Sequence, residues 1–403
     1  MDSDRCKTVD VYSSAFGGEG ICRIDGIVCF VEGAFAGEKA VIEISERKKN
    51  FLRARAVEIL APIPERIESL CPLAYACSIK GLHCHGCVYQ SLSYEKEIEF
   101  KDKQFSELLK KFAGIDADLK LAPLFAKENL FYRNKVTLHC RNKVNNSFGF
   151  VTNDNFTVIE VPKCYLACNE INDAISGLKN SGIIDDEVLF RYTKKDGVKI
   201  IAAQKAKDET ELLTEQTLFG DFLVPVTSFF QVNIYAHEIM LKEYEALLKK
   251  ISPDMVIDLY CGVGVFGIIA SKSGIPSYGA DMDCEAIRVA KLNAQQHGVK
   301  NISSFLAGDV FLCAKEILSK LGKKQNCVVL DPPRTGLDKQ LTKMLCDLPI
   351  DDIIYISCSA DTLSRDLKIL LASGYELQST RLIDMFPRTK HFESITHLKN
   401  RKK

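Results

Sequence analysis

The sequence of 403 residues contains no tryptophan, and it has no net charge because 53 Lys and Arg residues balance 53 Asp and Glu residues. A chain of zero net charge cannot attract a nucleic acid through its overall field, so any basic surface for such a partner must be local. The sequence also lacks the roughly 18 successive uncharged apolar residues that a membrane span needs. Its most apolar stretch, residues 255–270, contains Asp258 and three glycines, and its polar beginning lacks the apolar stretch of a secretory signal. We therefore expect a soluble, cytoplasmic protein with no membrane partner.

The length and the cysteine content bound the architecture. The chain is longer than one hydrophobic core usually supports, so two or three domains are expected. Hydrophobic residues make up 46% and charged residues 26% of it, which excludes a disordered or fibrous protein. Sixteen cysteines are many for the cytoplasm, where structural disulfides are rare. Clustered thiols in that compartment more often bind metal or take part in chemistry.

Residues 1–61 contain short apolar strands separated by glycine turns, a pattern that predicts a small closed, OB-like β-barrel. The last of these strands carries Arg53 and Arg55 on one face, because side chains alternate along a strand. A local basic stripe is formed by these two residues with Arg47, Lys48 and Lys49. The stripe is either a surface for nucleic acid or a strand edge that charge keeps soluble.

The rest of the chain divides into a central domain, residues 62–226, and a catalytic domain, residues 227–403. The central domain begins with a cysteine-rich stretch, continues with a charged amphipathic helix over 93–113 and ends in alternating patterns typical of an antiparallel or mixed sheet. We expect that helix to pack on the catalytic domain. In the catalytic domain, buried-strand patterns alternate with helix patterns, which predicts a mostly parallel, Rossmann-like α/β sheet.

A glycine loop of the catalytic domain suggests a nucleotide-like cofactor. Gly262-Val263-Gly264-Val265-Phe266-Gly267 follows a strand, opens a helix and matches the G-x-G-x-x-G pattern, and Asp281 lies at the end of the next strand, where an acid can bind ribose hydroxyls. An NAD-binding oxidoreductase is one interpretation. However, Asp258 lies just before the loop, where its carboxylate would repel a pyrophosphate but could hold the amine of a methionine moiety. We therefore favour S-adenosylmethionine.

Further motifs border the strands of the same domain. Asp331-Pro332-Pro333-Arg334 follows one strand, and its two prolines form a rigid shelf against which a planar base can lie. Ser357-Cys358 follows the next strand and precedes a helix, whose partial positive charge favours a thiolate. His391-Phe392-Glu393 lies just before the final strand. Upstream, Phe229-Phe230-Gln231-Val232-Asn233 can stack on and hydrogen-bond an adenosine. Because ligands bind at the carboxyl ends of strands in open α/β sheets, we expect these motifs to meet at one pocket.

Together with Asp258-Leu259-Tyr260-Cys261-Gly262-Val263-Gly264, these motifs resemble the RNA uracil-5-methyltransferase family, and the resemblance covers essentially the whole chain. The barrel resembles a TRAM domain, an RNA-binding module, through residues 20–26 and Phe30-Val31-Glu32-Gly33. The resemblance implies that a methyl group is transferred from S-adenosylmethionine to C5 of a uridine in structured RNA. It makes 23S ribosomal RNA the expected substrate and transfer RNA the alternative. We expect the enzyme to be a monomer.

The resemblance also implies roles for individual residues. Cys358 is the nucleophile that adds to C6 of the uracil, Glu393 is the base that removes the C5 proton, and Asp331 hydrogen-bonds the uracil edge. The residues that it implies hold S-adenosylmethionine are Gln231, Tyr260, Gly262, Asp281, Asp309 and Asp331. The target base must leave its stack to reach them.

Other functions fit parts of the sequence. RNA cytosine-5 methyltransferases usually carry a second cysteine directly after the two prolines, where this sequence has Arg334. A second alternative is a nucleic-acid-binding module with a vestigial cofactor fold. This interpretation does not explain why Cys358 and Glu393 are intact. The oxidoreductase interpretation rests on the glycine loop alone.

The cysteine-rich stretch contains a C-x2-C pair, Cys84-His85-Gly86-Cys87, preceded by Cys71. Both zinc sites and iron–sulfur clusters use such pairs. The family resemblance implies a [4Fe-4S] cluster held by Cys71, Cys84, Cys87 and the more distant Cys164. Cys77 is an alternative to Cys84 as the second ligand. In the family, the first two cluster cysteines are usually closer in sequence than Cys71 and Cys84 are, and Cys77 lies between these two residues.

Overall fold

The computed structural model describes residues 6–74, 82–116, 119–142, 147–178, 185–202, 210–319 and 325–401. Within these ranges the strands assemble into sheets of six, five, two and eight strands, in that order along the chain. No helix in this part of the chain is long and apolar enough to cross a membrane.

The amino-terminal part is a closed β-barrel. Its strands are β1 (Cys6–Asp10), β2 (Ser13–Ser14), β3 (Gly20–Ile24), β4 (Ile27–Glu32), β5 (Lys39–Arg47) and β6 (Phe51–Ala61). They pair in the order β1-β5-β6-β4-β3-β2, with β4 and β6 parallel and the other neighbours antiparallel. Strands β1 and β2 lie at opposite edges of this order but are separated by Val11 and Tyr12 alone, so the sheet must curl until its edges meet. Alternate side chains, Cys22, Cys29 and Val31 among them, fill the interior.

The basic stripe of the barrel is partly neutralised by its own carboxylates. Arg53 and Arg55 each lie 2.5 Å from a carboxylate oxygen, of Glu19 and Glu43 respectively. Lys48 lies 2.6 Å from Glu46. Arg47 and Lys49 are exposed near the end of the stripe. The positive electrostatic potential of the stripe is therefore weaker than five basic residues without carboxylate partners would produce.

In its described residues, the central part contains two α-helices and two antiparallel units. Its elements are α1 (Tyr94–Leu108), which continues as a π-helical turn over Leu109–Ala113, β7 (Leu124–Phe125), β8 (Lys135–Asn142), β9 (Ser147–Val151), β10 (Val158–Glu160), α2 (Asn169–Gly177), β11 (Glu187–Thr193), β12 (Gly197–Ala202), β13 (Leu212–Thr217) and β14 (Gly220–Pro225). The order β10-β9-β8-β11-β12 forms an antiparallel sheet, and β13 pairs with β14. Helix α2 packs on the five-stranded sheet, with Ile171 and Ile175 in its core.

The carboxyl-terminal part alternates strands and helices. Its elements are α3 (Ile234–Ile251), β15 (Met255–Leu259), α4 (Val265–Lys272), β16 (Ser277–Asp281), α5 (Cys284–Gln296), β17 (Ser303–Ala307), α6 (Val310–Ser319), β18 (Asn326–Leu330), α7 (Lys339–Asp347), β19 (Asp352–Ser357), α8 (Ala360–Ala372), β20 (Tyr375–Asp384) and β21 (Glu393–Asn400).

The large sheet has the order β17-β16-β15-β18-β19-β21-β20-β7. Strands β15 to β19 are parallel, β21 is antiparallel to both β19 and β20, and β7 adds to the far edge parallel to β20. All five residues of β15 are buried, as expected for a parallel strand covered on both faces. The chain reverses its direction of winding at β15, so a ligand crevice is expected between the carboxyl ends of β15 and β18.

Helix α1 belongs to the core of the large sheet although its sequence is highly charged. Its Phe105 and the following Leu109 share a buried cluster with Tyr355, Leu367 and Phe392. The same helix also buries charges, because Lys101 and Glu97 have no exposed side-chain surface. These charges bear on the site described next.

Candidate active site

The predicted strand-end residues meet at one edge of the large sheet. Asp281 ends β16, Asp331 directly follows β18 and Cys358 directly follows β19. Glu393 is the first residue of β21. Strand β21 runs antiparallel to β19, and its Ser394 pairs with Ser357, the last residue of β19. The turn from parallel to antiparallel pairing therefore places the start of β21, and with it Glu393, at the edge where the parallel strands end.

The glycine loop between β15 and α4 has a backbone that turns sharply. Tyr260, Gly262 and Gly264 have φ values of +66°, +50° and +85°. A Cβ on Gly264 would lie 2.8 Å from Cε1 of Phe305, so this position requires glycine for space as well as for conformation. The N–H of Gly262 donates to Oδ2 of Asp281 over 2.8 Å, and this bond ties the loop to the end of the neighbouring strand.

Two buried side-chain oxygens, one of Asp258 in β15 and one of Gln231, lack a hydrogen-bond partner among the described residues. Asp258 is fully buried and accepts one bond from the N–H of Gly267 over 2.9 Å, while its Oδ1 has no partner. Burial, with smaller contributions from the like charges of Asp331 and Asp281, raises the pKa of Asp258 to about 8. Gln231 is buried with its Oε1 equally unpaired. Each of these oxygens could accept a hydrogen bond from the ammonium group of a methionine moiety, since an unpaired buried acceptor is costly until a donor arrives.

The proposed catalytic residues lie in one another's electrostatic field. The Cys358 thiol is partly buried, and burial together with the charges of Glu393 and Asp331 raises its pKa to about 12, against the opposing effect of Arg334. Burial and like charge thus oppose the thiolate that the position before α8 favours. Burial and the nearby charge of Asp331 raise the pKa of Glu393 well above its usual range, and burial with Asp281 raises that of Asp331 to about 7. The Oε2 atom of Glu393 is buried and has no hydrogen-bond partner in the described part of the chain.

Two other predicted cofactor residues lie at the rim of the crevice. Asp309 is exposed, and its Oδ1 accepts the N–H of Leu312 over 3.0 Å, so that it caps α6. Tyr260 is half-buried, and burial raises its pKa to about 12, with a smaller contribution from the charge of Asp309. The structure thus brings both residues to the side of the glycine loop that carries Asp281.

Sequence reasoning missed the residues that hold the segment in front of Glu393. Lys101 Nζ lies 2.7 Å from Glu97 Oε1 and 2.8 Å from Asp384 Oδ1, while the hydroxyl of Tyr94 donates to Asp384 Oδ2 over 3.0 Å. The backbone N–H of Arg388 donates to Glu97 over 2.7 Å. The i, i+4 spacing of Glu97 and Lys101 looks like an exposed helix pair, so the sequence carries no sign that they are buried.

Cys71 and Cys164 both lie near enough to the C-x2-C pair to affect the pKa values of its thiols. The N–H of Cys84 donates to the carbonyl of Leu73 over 2.8 Å, which draws the Cys71 loop to the C-x2-C pair. Burial raises the pKa of Cys84 to about 11, with further contributions from Cys164 and Cys71, and the pKa of Cys87 is raised by burial and by all three other thiols. No group of three or more His, Cys, Asp and Glu side chains arranged to hold a metal ion is found in the described residues. Cys77 lies outside those residues.

Comparison with known families identifies the chain. A model described as tRNA (Uracil-5-)-methyltransferase matches residues 185–401, more than half of the chain, and a TRAM domain model matches residues 5–57. The chain belongs to this uracil-5-methyltransferase family. The TRAM match agrees with the predicted barrel, and RNA is therefore the substrate class that the two matches imply.

Curated RNA methyltransferases match the chain over nearly its full length. An uncharacterized RNA methyltransferase of Clostridium acetobutylicum is 30% identical and covers 97% of this chain and 96% of its own length. One from Clostridium tetani is 28% identical, covering 96% and 95%. The Pyrococcus abyssi tRNA (uracil-54, C5)-methyltransferase, solved with S-adenosyl-L-homocysteine, matches with a TM-score of 0.71 and 22% identity over 97% of this chain and 99% of its own, which shows a shared fold. The predicted S-adenosylmethionine-dependent RNA methyltransferase is thus confirmed.

Proposed function

We propose that the protein transfers a methyl group from S-adenosylmethionine to C5 of a uridine in structured RNA through a covalent adduct between Cys358 and C6. The observation that supports this most is the meeting of Cys358, Asp331 and Glu393 at the edge of the sheet where the cofactor loop also lies. A uracil ring is too weak a carbon nucleophile to take a methyl group unaided. Addition of a thiolate at C6 turns the ring into an enolate and makes C5 reactive.

S-adenosylmethionine would be held by Gln231, Tyr260, Gly262, Asp281, Asp309 and Asp331, and Asp258 would accept its ammonium group. When bound, it supplies the methyl group and a positive charge at the sulfonium. The unpaired Oδ1 of Asp258 and Oε1 of Gln231 fit such a cation, because each is a buried acceptor without a partner among the described residues. Positive charge entering this pocket also lowers the pKa of Cys358, which promotes the thiolate.

The carboxylates divide the remaining work. Asp331 has a pKa near neutrality, so it can either donate to a carbonyl of the uracil edge or accept from its N3–H. Glu393 takes the C5 proton on its unpaired Oε2 after methyl transfer. Loss of that proton restores the ring double bond and releases Cys358 from C6.

Variants of Cys358, which starts the catalytic cycle, and of Glu393, which ends it, test this mechanism. Cys358→Ala is expected to abolish turnover and every covalent protein–RNA species, because no thiolate remains. Glu393→Gln is expected to allow attack and methylation but not release, so a slowly migrating band should accumulate on a denaturing gel. The methylated form of that band requires S-adenosylmethionine, and the band is absent from the double variant.

A matched control is Cys284→Ala, which removes an exposed thiol at the start of α5 and should leave activity unchanged. A Glu393→Gln enzyme that methylates at a near normal rate without a trapped band would make Glu393 a structural carboxylate.

We propose 23S ribosomal RNA as the substrate, with transfer RNA as the alternative named by the family description. Mapping of 5-methyluridine in both RNA classes, from cells with and without the gene, distinguishes them. Loss of a 5-methyluridine from 23S RNA supports the proposal, and loss confined to transfer RNA replaces it.

We also propose a [4Fe-4S] cluster on Cys71, Cys84, Cys87 and Cys164, because Cys71 and Cys164 lie near enough to Cys84 and Cys87 to contribute to the raised pKa of both thiols. The cluster would shape the RNA-binding surface, since methyl transfer has no redox step. Protein purified without oxygen should contain about four irons per chain.

Substitutions distinguish the ligands of the proposed cluster. Cys84→Ser should lower the iron content, whereas Cys77→Ser and Cys140→Ser should leave it unchanged. Stoichiometric zinc without iron would remove the cluster and leave the methyltransferase proposal intact. Loss of iron in Cys77→Ser would show that Cys77 is the second ligand.

A further inference from the structure

A cleft of about 520 Å³ lies outside the proposed catalytic centre, between the barrel, the cysteine-rich segment and the chain in front of Glu393. Its volume falls in the range of small-molecule sites. The lining residues that matter for its chemistry are Phe16, Glu19, Glu32, Arg53, His85 and Lys390. These belong to three parts of the chain, so the cleft exists only when the barrel is docked.

Phe16 provides an aromatic face in this cleft. Its side chain is 44% exposed, and its ring meets the ring of Phe392 edge to face at a centroid distance of 6.1 Å. Phe392 is buried and packs in the same manner on Phe105 of α1 at 5.6 Å. The exposed ring of Phe16 therefore rests on the buried ring of Phe392, which Phe105 in turn holds in place, and Phe392 directly precedes the proposed base Glu393.

The polar lining is balanced in charge. Arg53 is paired with Glu19, and Glu32 Oε1 lies 2.7 Å from Nε2 of His83. Arg53 and Lys390 together offset the formal charges of Glu19 and Glu32. A run of phosphates would require a clear excess of positive charge, so this lining does not suit an RNA backbone. It suits a neutral base that both donates and accepts hydrogen bonds.

The ring of Phe16 and the balanced lining favour a purine with a donor edge. Unpaired bases of RNA are typically stacked on aromatic side chains and read at their polar edges. Guanine offers N1–H and N2–H₂ donors to a carboxylate, and its O6 and N7 atoms accept from arginine. Glu19 or Glu32 and Arg53 supply these partners in one concave site.

We propose that the cleft binds an unpaired guanine of the substrate RNA close to the target uridine, with the base stacked on Phe16. This proposal rests on the proposed function only in that the substrate is RNA. It assigns the docked barrel a role in choosing the sequence around the target as well as in holding RNA.

Titration of the full-length protein with guanosine monophosphate, in equilibrium dialysis or by NMR, tests the proposal. The protein is first saturated with S-adenosylhomocysteine, so that nucleotides cannot bind at the cofactor pocket. Guanosine monophosphate is expected to bind more tightly than uridine monophosphate. Phe16→Ala should weaken it about 5- to 150-fold, the equivalent of the 1–3 kcal/mol of one base–aromatic stack. Phe16→Tyr, which keeps the ring, should retain binding.

Phe125→Ala is the matched control, because Phe125 is 43% exposed and also meets one ring, that of Tyr94, edge to face, but it lies outside the cleft. It should leave nucleotide binding unchanged. Equal binding of guanosine and uridine monophosphate, or equal effects of Phe16→Ala and Phe125→Ala, would overturn the proposal.

The cleft and the proposed catalytic chemistry can fail independently. Cys358→Ala should bind guanosine monophosphate as the unchanged protein does, whether or not Cys358 is the nucleophile. In methylation assays, Phe16→Ala should raise KM for RNA and leave KM for S-adenosylmethionine unchanged. A Cys358→Ala enzyme that still methylates would contradict the proposed mechanism and leave the cleft in place.

Discussion

At the scale of single residues, Cys358 shows which of two opposing effects controls a thiol. Its position before α8 predicts a lowered pKa, since a helix N-terminus attracts negative charge. The structure gives a pKa of about 12 instead, because the thiol is partly buried and lies near Glu393 and Asp331. Sequence spacing shows the helix, but neither burial nor the approach of carboxylates from other strands.

The raised pKa of Asp258 also makes the stability of the protein depend on pH. Its pKa of about 8 lies above the usual value near 3.9 of an unfolded chain. The protonated carboxyl therefore contributes stability that is fully present below about pH 4 and is lost as the pH rises through about 8. Asp258→Asn cannot ionise and lacks this dependence. Without cofactor, the variant should gain stability relative to the original protein between pH 6 and pH 9, as measured by thermal unfolding.

The same Asp258→Asn substitution should weaken binding of the cofactor, although it should stabilise the protein without cofactor. If Asp258 accepts the ammonium group, Asp258→Asn weakens S-adenosylmethionine by about 10- to 100-fold, the usual worth of a hydrogen bond to a charged group. Asp254→Asn is the control, because Asp254 is an exposed carboxylate just before β15. Unchanged affinity in Asp258→Asn would remove Asp258 from the cofactor site.

At the scale of elements, α1 joins two distant parts of the chain through buried charge. Lys101 is enclosed by Glu97 and Asp384, and the latter is 283 residues away in the sequence. Asp384 ends β20, so the contact fixes the chain that leads through Arg388 to Glu393. Buried pairs of this kind add little net stability, but losing one partner leaves the others uncompensated.

Lys101→Met is therefore expected to destabilise the protein by about 3–5 kcal/mol, measured by urea unfolding. Lys103→Met is the matched control on the same helix, because Lys103 is 65% exposed and its nearest carboxylate, Glu107, is 3.9 Å away. The control should change stability by less than about 0.5 kcal/mol. Equal effects of the two variants would show that the Lys101 contacts carry no special weight.

These elements also show how far sequence reasoning reaches. Strand ends are predictable, because buried parallel strands such as β15 are mostly apolar and the residues that follow them must lie at one sheet edge. The Asp384–Lys101 contact is not predictable, because it depends on how two elements 283 residues apart pack. The same holds for the cleft beside Phe16, which is lined by residues from four separate parts of the chain.

At the scale of the whole molecule, we propose three domains, residues 1–61, 62–226 and 227–403. Strand β6 ends at Ala61, and β14 and α3 lie on either side of residue 226. Contacts between these parts are extensive: β7 extends the large sheet, and Phe16 of the barrel touches Phe392. An RNA held by the barrel would therefore meet the catalytic edge without a movement of domains.

Because the whole chain has no net charge, electrostatic attraction of RNA must come from local basic surfaces. The basic stripe of the barrel is one such surface, and its contribution can be tested. Arg53, Arg55 and Lys48 already have carboxylate partners, so the exposed Arg47 and Lys49 are the residues most available to phosphates. Replacing both with Gln should weaken RNA binding and reduce the slope of log affinity against log salt by about 1.4 to 1.8, the release of two counterions. The control replaces Lys249 and Lys250, which are exposed at the end of α3, far along the chain from the barrel. If both double variants keep the original salt slope, the stripe is a solvated strand edge, and RNA is held by other surfaces of the molecule.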